Sequence, residues 1–344
     1  MVSLPDARGP LSEAVLTRLM TPPARALPVP DVLRVPDPLA DDDLHLALYL
    51  CYELSYRGLP GVGDDWEWEP SLLVVRRALE RAFEGALRAI PVPPAPPAGD
   101  TDMALRSLIG ADDAPSLSRH LERSGTREQV REFLIHRSAY QLKEADPHSF
   151  AIPRLAGAAK AALVEIQSDE YGGGRPDRVH AELFRRTMIG VGLDGRYGAY
   201  VAELPGVTLA TVNLMSMCGL NRRLRGAIVG HLACFEMTSS LPNRRYGNAL
   251  RRLGYGEVVI DFFDEHVEAD AVHENLAAVD LAGGLLRAEA ELAGDVMWGA
   301  AALLHLDGRW ARHLMDSWSA GKSSLFGMRD APSIARAAPA AADA

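Results

Sequence analysis

The sequence predicts an all-α protein, and three observations carry that prediction. Apolar residues make up 48% of the 344-residue chain but aromatic residues only 6%, so the core must be built largely from Ala and Leu. Aliphatic side chains of that kind favour helix-on-helix packing over a sandwich or barrel. From about residue 127 onward, apolar positions recur at helical spacing in one segment after another. No segment alternates apolar and polar residues for long enough to make a sheet.

In chain order, residues 1–40 hold many prolines (TPPARALPVPDVLRVPDP) and read as an extended arm rather than a helix. Asp41 to Asp43 then cap a helix running LHLALYLCYELSYRG, which stops at Gly58 and Pro60. A second helix spans roughly 71–90, with Ser71 as its cap, and PVPPAPPAGD (91–100) is a stiff linker. Residues 41–100 therefore form a unit of N-terminal helices and linker, ahead of a main domain over 101–325. In that domain REQVREFLIHRSAYQLKEAD and PRLAGAAKAALVEIQSDEY read as helices. The run PDRVHAELFRRTMIGVG starts another, with Pro176 in its first turn. A helix over 222–240 ends just before Pro242, and GEVVIDFFDEHVEADAVHENLAAVDLA is the longest unbroken periodic stretch of this half. Two more helices are expected at 284–306 and 309–320, followed by a low-complexity, disordered tail over 326–344.

The net charge of −10 and a pI near 5.5 argue against a nucleic-acid partner. Three cysteines, Cys51, Cys218 and Cys234, lack metal-binding spacing and read as reduced core thiols. The N-terminus lacks the basic start and apolar run of a signal peptide, and no apolar stretch is long enough for a membrane span. A cytoplasmic location without a membrane partner is the expectation.

The sharpest chemical signal is His266-x3-Asp270-x2-His273. On a helix the three side chains project within roughly 60° of one another, which sets two imidazoles and a carboxylate on one face. Val258, Val259, Ile260, Phe262 and Phe263 just precede them, so this helix has apolar surface to bury. Ionisable groups in such a setting are costly unless a metal or hydrogen bonds compensate them. The triplet read alone also fits a polar stripe on a solvated helix. Further ligand-type residues lie upstream: Glu144, Glu170, His180 ten residues after it, and Glu236 on an otherwise apolar helix. Each of them singly also fits a surface charge, a helix-end charge or a core histidine.

The stretches YQLKEADPHSFAIPRL, SDEYGGGRPDRVHAELF, FEMTSSLPNRRYGNALRRLG and DEHVEADAVHENLA together resemble the haem-oxygenase-like diiron oxidases. More narrowly, they are similar to the actinobacterial iron-containing redox enzymes of that superfamily, over about residues 125–310. The resemblance implies a haem-oxygenase-like helical bundle with a carboxylate and histidine diiron site in its core. Matched by position, the metal ligands it implies are Glu170, His180, Glu236, His266, Asp270 and His273. The branch that oxygenates amine nitrogen has one more carboxylate some 26 residues before the first Glu, where Glu144 stands. Gly172, Gly173 and Gly174 imply a broken helix between Glu170 and His180. His136, His148, Glu165, Glu182 and His231 lie off the pattern, and Glu165 or Asp169 is a candidate hydrogen-bond partner for a ligand.

What the resemblance implies for function is dioxygen activation by two Fe(II)/Fe(III) ions, with O₂ as co-substrate and a small molecule as substrate. Its N-oxygenating branch works through a peroxo-diferric species attacked by an amine, with Glu144, Glu170 and Glu236 as the catalytic carboxylates. The same site in other branches desaturates, decarboxylates or cleaves an aliphatic acid or amino acid. A helical protein that binds metal without turnover is the alternative from a different class. An external electron donor and a homodimer are further expectations. Arg244, Arg245, Arg251 and Arg252 read as surface salt-bridge residues rather than a substrate grip, and Met215, Met217, Cys218, Phe235 and Met237 as core packing.

Overall fold

The helices start where side chains can satisfy the first free backbone N–H groups. In the computed structural model, which describes residues 3–23, 35–97 and 99–327 except for the side chains of 268–272, Asp41 accepts from the Leu44 amide and opens α2 (Asp42–Glu53). Ahead of it lies α1 (Pro10–Leu19). The extended-arm expectation is therefore corrected over these residues. Pro10 sits in the first turn, where its missing N–H is harmless, and Leu11, Val15 and Leu19 bury one face. The carboxylate of Asp43 accepts from the Leu11 and Ser12 amides at 2.8 and 2.7 Å, which pins α1 to α2. Residues 1–2 and 24–34, part of the expected arm, and 328–344, most of the expected tail, lie outside the described residues.

α3 (Pro70–Arg88) is capped by Glu69, which accepts from the Ser71 amide; Ser71 itself is not the cap. α4 (Thr101–Gly110) and α5 (Leu117–Ser124) follow, with Ser116 capping the latter. Thr126 and Gln129 close a reciprocal capping box at the start of α6 (Arg127–Gln141). A turn containing Glu144 leads to α7 (Asp146–Ser149) and then α8 (Gly157–Glu170). Pro176 begins a separate 3-10 turn, and α9 (His180–Gly190) opens only at His180.

α10 (Gly206–Leu220) is buried nearly all round, and the three cysteines are free and buried. α11 (Arg225–Arg252) does not stop before Pro242 as its sequence suggests but passes through it. Hydroxyls of Thr238 and Ser239 donate to the carbonyls of Cys234 and Glu236 just upstream, and packing on both flanks holds the helix together despite the proline. α12 (Glu257–Asn275) continues into a π-helical stretch over 276–282 and then α13 (Gly283–Ala288). Ile260, Phe262 and Phe263 are buried as their pattern demands, whereas Val258 is exposed.

The two helices expected at 284–306 and 309–320 are arranged differently. α13 ends at Ala288, and α14 (Ala293–Ser319) runs unbroken past Gly308, because Leu306, Trp310 and Leu314 keep one apolar face buried. Among the described residues there is no strand. α11 is the central helix, packed along α14 and α12. Glycines allow the α11–α14 approach. A Cβ added at Gly230 would lie 1.9 Å from the Val296 carbonyl oxygen, and one at Gly299 would lie 2.0 Å from that of Ala227. No helix of the described residues is long and apolar enough to cross a membrane.

Candidate metal centre

Four helices and one turn bring six of the seven predicted residues together. Glu144 comes from the turn after α6, Glu170 from the last position of α8 and His180 from the first of α9. Glu236 lies in the first half of α11, and His266 and His273 lie two turns apart on α12. All six are buried. The side chain of Asp270 lies outside the described residues.

The loop between Glu170 and His180 shows how a broken helix serves the site. Gly172, Gly173 and Gly174 adopt φ of 69°, 59° and 79°, and a Cβ at Gly172 would lie 2.6 Å from the Arg178 backbone. That reversal returns the chain so that His180 Nδ1 stands 2.9 Å from Glu170 Oε2. The rings of His180 and His266 lie 4.4 Å apart, and His266 Nε2 is 3.3 Å from Glu144 Oε1. His266 Nδ1 donates to the Phe262 carbonyl at 2.7 Å, which aims the opposite ring nitrogen inward. On the other side His273 Nδ1 is 3.5 Å from Glu236 Oε2, while its Nε2 donates to Asp169 Oδ2 at 3.0 Å.

These contacts resolve into two groups. Ligand atoms of Glu144, Glu170, His180 and His266 lie within 4.8 Å of one another, and so do those of Glu170, Glu236 and His273. Glu170 belongs to both. A carboxylate shared by two such groups is the arrangement that bridges a pair of cations.

Four of these buried atoms, Glu144 Oε2, Glu170 Oε2, His180 Nδ1 and His273 Nδ1, make no hydrogen bond even where a neighbour is near. Lone pairs converging in a dry core are costly without a cation to receive them. The donor set, carboxylate oxygen with imidazole nitrogen and no thiolate, therefore fits divalent iron and similar metals. Burial pushes the Glu144 carboxyl up, against the pull of His266. Burial pushes Glu170 up too, but His180, then His266 and His273, outweigh it and hold it down at about 2. Burial opposes charge on both histidines, yet Glu170 raises His180, while Glu236 and then Asp169 raise His273 to about 9. Positive charge is what this pocket of carboxylates requires.

The surrounding shell contains residues that sequence reasoning passed over. Lys143, next to Glu144, is buried in an ion pair with Glu53 at 2.9 Å, and Tyr197 donates to the other Glu53 oxygen at 2.6 Å. Gln167 donates to the Ala145 carbonyl and to Ser149, which ties α8 to the turn that carries Glu144. His148 and His231 pair with each other at 3.1 Å behind the carboxylates, and burial holds His148 down at about 4. No local pattern reveals these partners. Of the two hydrogen-bond candidates, Asp169 reaches a site histidine, while Glu165 is exposed. His136 is bound to Thr208 and Ser324, and Glu182 is paired with Arg185 and Arg186. Arg245 pairs with Glu122, Arg251 with Asp264, and Arg252 caps backbone carbonyls around α5.

A cavity of about 270 Å³ ends on Glu144 and His266. Phe184, Phe235 and Phe263 line its wall, so Phe235 is not core packing alone. Asp112 stands exposed at its outer rim. The centre thus adjoins space for a small molecule.

Comparison with known proteins agrees with this picture. Residues 131–308 match the family described as iron-containing redox enzymes. A nitrosourea synthase of Streptomyces achromogenes subsp. streptozoticus is 28% identical over 190 residues, covering 55% of this chain and 40% of that protein. The chain thus aligns with less than half of that relative's length.

Proposed function

The chain belongs to the iron-containing redox enzyme family, and from that premise we propose that it is a diiron oxygenase that transfers an oxygen atom from O₂ to an amine nitrogen of a small molecule. The observation that carries this reading is the sharing of Glu170 between two buried carboxylate–imidazole groups. Glu144, Glu170, His180 and His266 would hold one iron, and Glu170, Glu236 and His273 the other, with Asp270 as a further ligand on α12. Ferrous iron bound there supplies the electrons that begin the reduction of O₂.

The residues of this chain do the rest. Three buried carboxylates offset the charge of two divalent ions, and the aromatic wall of the cavity keeps bulk water from the reacting nitrogen. Conversion of an amine to a hydroxylamine inserts one oxygen atom into an N–H bond and releases the second as water. The balance requires two electrons and two protons from outside, so an external electron donor is part of the proposal. Two observations favour nitrogen over carbon as the target: Glu144 standing inside the cluster, and the similarity to a protein named for a nitroso product.

The test is to load the protein with Fe(II) without oxygen, count iron per chain, admit O₂ with candidate amines, and read products by mass spectrometry. Gain of one oxygen atom with two irons per chain is expected. Loss of two hydrogens would assign the site to desaturation instead, and iron-loaded protein that leaves O₂ untouched would sink the enzyme reading.

A further inference from the structure

The cavity that ends on Glu144 and His266 also holds a cation that the proposed reaction does not use. Phe133, Arg137 and Gln141 recur every four residues on α6, so they form one stripe along its wall, leading toward Glu144. The guanidinium of Arg137 is mostly enclosed, with side-chain exposure of 17%. Its carbon stacks 4.0 Å from the Trp310 ring, and its ion pair with Asp307 is long, at 3.6 Å between NH1 and Oδ1. The Tyr246 hydroxyl also faces it. A guanidinium carries five N–H donors in a planar fork, set here against one distant carboxylate and the phenols of Tyr246 and Tyr140. Arg137 is itself part of the wall of this cavity, which is sized for a small molecule.

We infer that Arg137 is the specificity-determining residue of this site and that it takes a carboxylate of the substrate. A fork of parallel N–H donors matches a carboxylate in shape and charge. Asp307 and Asp112 also line the cavity, so a phosphate dianion would meet more repulsion there than a carboxylate, which carries a single charge. Gln141, one helical turn or about 6 Å further along α6, separates Arg137 from Glu144, which lies in the turn beyond that helix. Carboxylate and reacting nitrogen therefore sit at opposite ends of the substrate. The class is a compact ω-amino acid, and an amine adjacent to the carboxylate does not span the distance.

The inference rests on the proposed function for the reacting nitrogen, but its test reads binding and is independent of turnover. Iron-loaded protein without oxygen is titrated calorimetrically with γ-aminobutyrate, ε-aminocaproate and longer homologues, and with alkylamines of matched length. One chain length should bind best and tighter than its matched alkylamine. Arg137→Gln should weaken that amino acid by about 10- to 100-fold and leave the alkylamine unchanged. Asp307→Asn removes the competing carboxylate and should tighten the amino acid several-fold, which provides a second reading if the arginine variant folds poorly. Alkylamines binding as well as the acids, equal weakening of both by Arg137→Gln, or failure of every homologue to bind would overturn the inference. Discrimination by Arg137 without any oxygenated product would leave it standing and overturn the reaction instead.

Discussion

Glu170 closes α8, His180 opens α9, and their side chains meet at 2.9 Å across a glycine reversal. Glu170 is also the one carboxylate common to both ligand groups. On the proposed two-iron reading, losing it would remove a ligand from each ion, whereas losing Glu236 would touch only one group. Glu170→Ala is therefore expected to abolish binding of both irons, and Glu236→Ala to leave about one iron per chain. Metal analysis of the reconstituted variants decides between them. A full complement of iron in Glu170→Ala would remove this residue from the bridging position.

The turn that carries Glu144 is anchored by charge buried well away from solvent. Lys143 and Glu53 are both essentially inaccessible, and removing one leaves the other uncompensated. Lys143→Met is expected to destabilise the fold by about 3–5 kcal/mol, and adding Glu53→Gln to recover a large part of that loss. Urea denaturation of the two single variants and the double variant gives the answer. A double variant no better than the sum of its parts would show that the pair is not coupled.

Buried histidines give the protein an acid limit. His45 is fully enclosed, with Nε2–H donating to the Pro38 carbonyl and the Asn213 amide donating to Nδ1, and burial holds its pKa down at about 3. Below the ordinary histidine value the unfolded chain takes up a proton that the folded chain refuses. Stability is then expected to fall as pH drops from about 6.5 toward 3, by up to about 1.4 kcal/mol per pH unit for this imidazole. Burial lowers His136 and His231 in the same direction. His45→Gln should flatten the slope, as measured by denaturation at pH 7 and pH 5, and an unchanged slope would exclude His45 as a source.

Two glycines of similar sequence context should behave in opposite ways. Gly230 faces the backbone of α14, whereas a Cβ at Gly85 on α3 meets nothing within 4 Å. Gly230→Ala is expected to cost about 3 kcal/mol by forcing α11 and α14 apart, and Gly85→Ala to add about 0.5–1 kcal/mol of stability. Thermal melting of both variants checks the sign of each.

The sequence made the helical class and the ligand-type residues legible because both depend on spacing along a helix. His266 and His273 share a face by periodicity alone, and Glu144, Glu170, His180 and Glu236 appear in an order that a family pattern can match. Other features were hidden because they depend on partners far apart in the chain. Lys143 meets Glu53 across 90 residues and His148 meets His231 across 83, and no local pattern announces either pair. Proline misled in both directions. The many prolines of the first forty residues concealed α1, where Pro10 sits harmlessly at the start, and Pro242 looked like a stop although tertiary packing carries α11 through it. Gly308 likewise looked like a boundary, but Trp310 and Leu314 beyond it are buried on the same helix.

Asp169 is the exposed member of the centre, and it acts through His273. Its carboxylate accepts from His273 Nε2 at 3.0 Å, while Nδ1 of the same ring is turned toward Glu236 and the shared Glu170. A negative charge at Asp169 favours the protonated ring and, with metal bound, would keep the N–H on Nε2 and leave Nδ1 to serve as the ligand atom. Burial works against the charged ring, and Glu236, then Asp169 and Glu170, overcome it to set a pKa of about 9. The stability this raised value confers on metal-free protein is fully present below the unfolded histidine value and is lost as pH rises through about 9. Asp169→Asn removes one of the three carboxylates that raise His273, so its titration should move down from about 9, and this is readable by NMR on metal-free protein. Iron affinity of the group formed by Glu170, Glu236 and His273 should fall about tenfold. A His273 titration unmoved by Asp169→Asn would mean that the buried carboxylates Glu236 and Glu170 set the ring, and that the exposed carboxylate is a bystander.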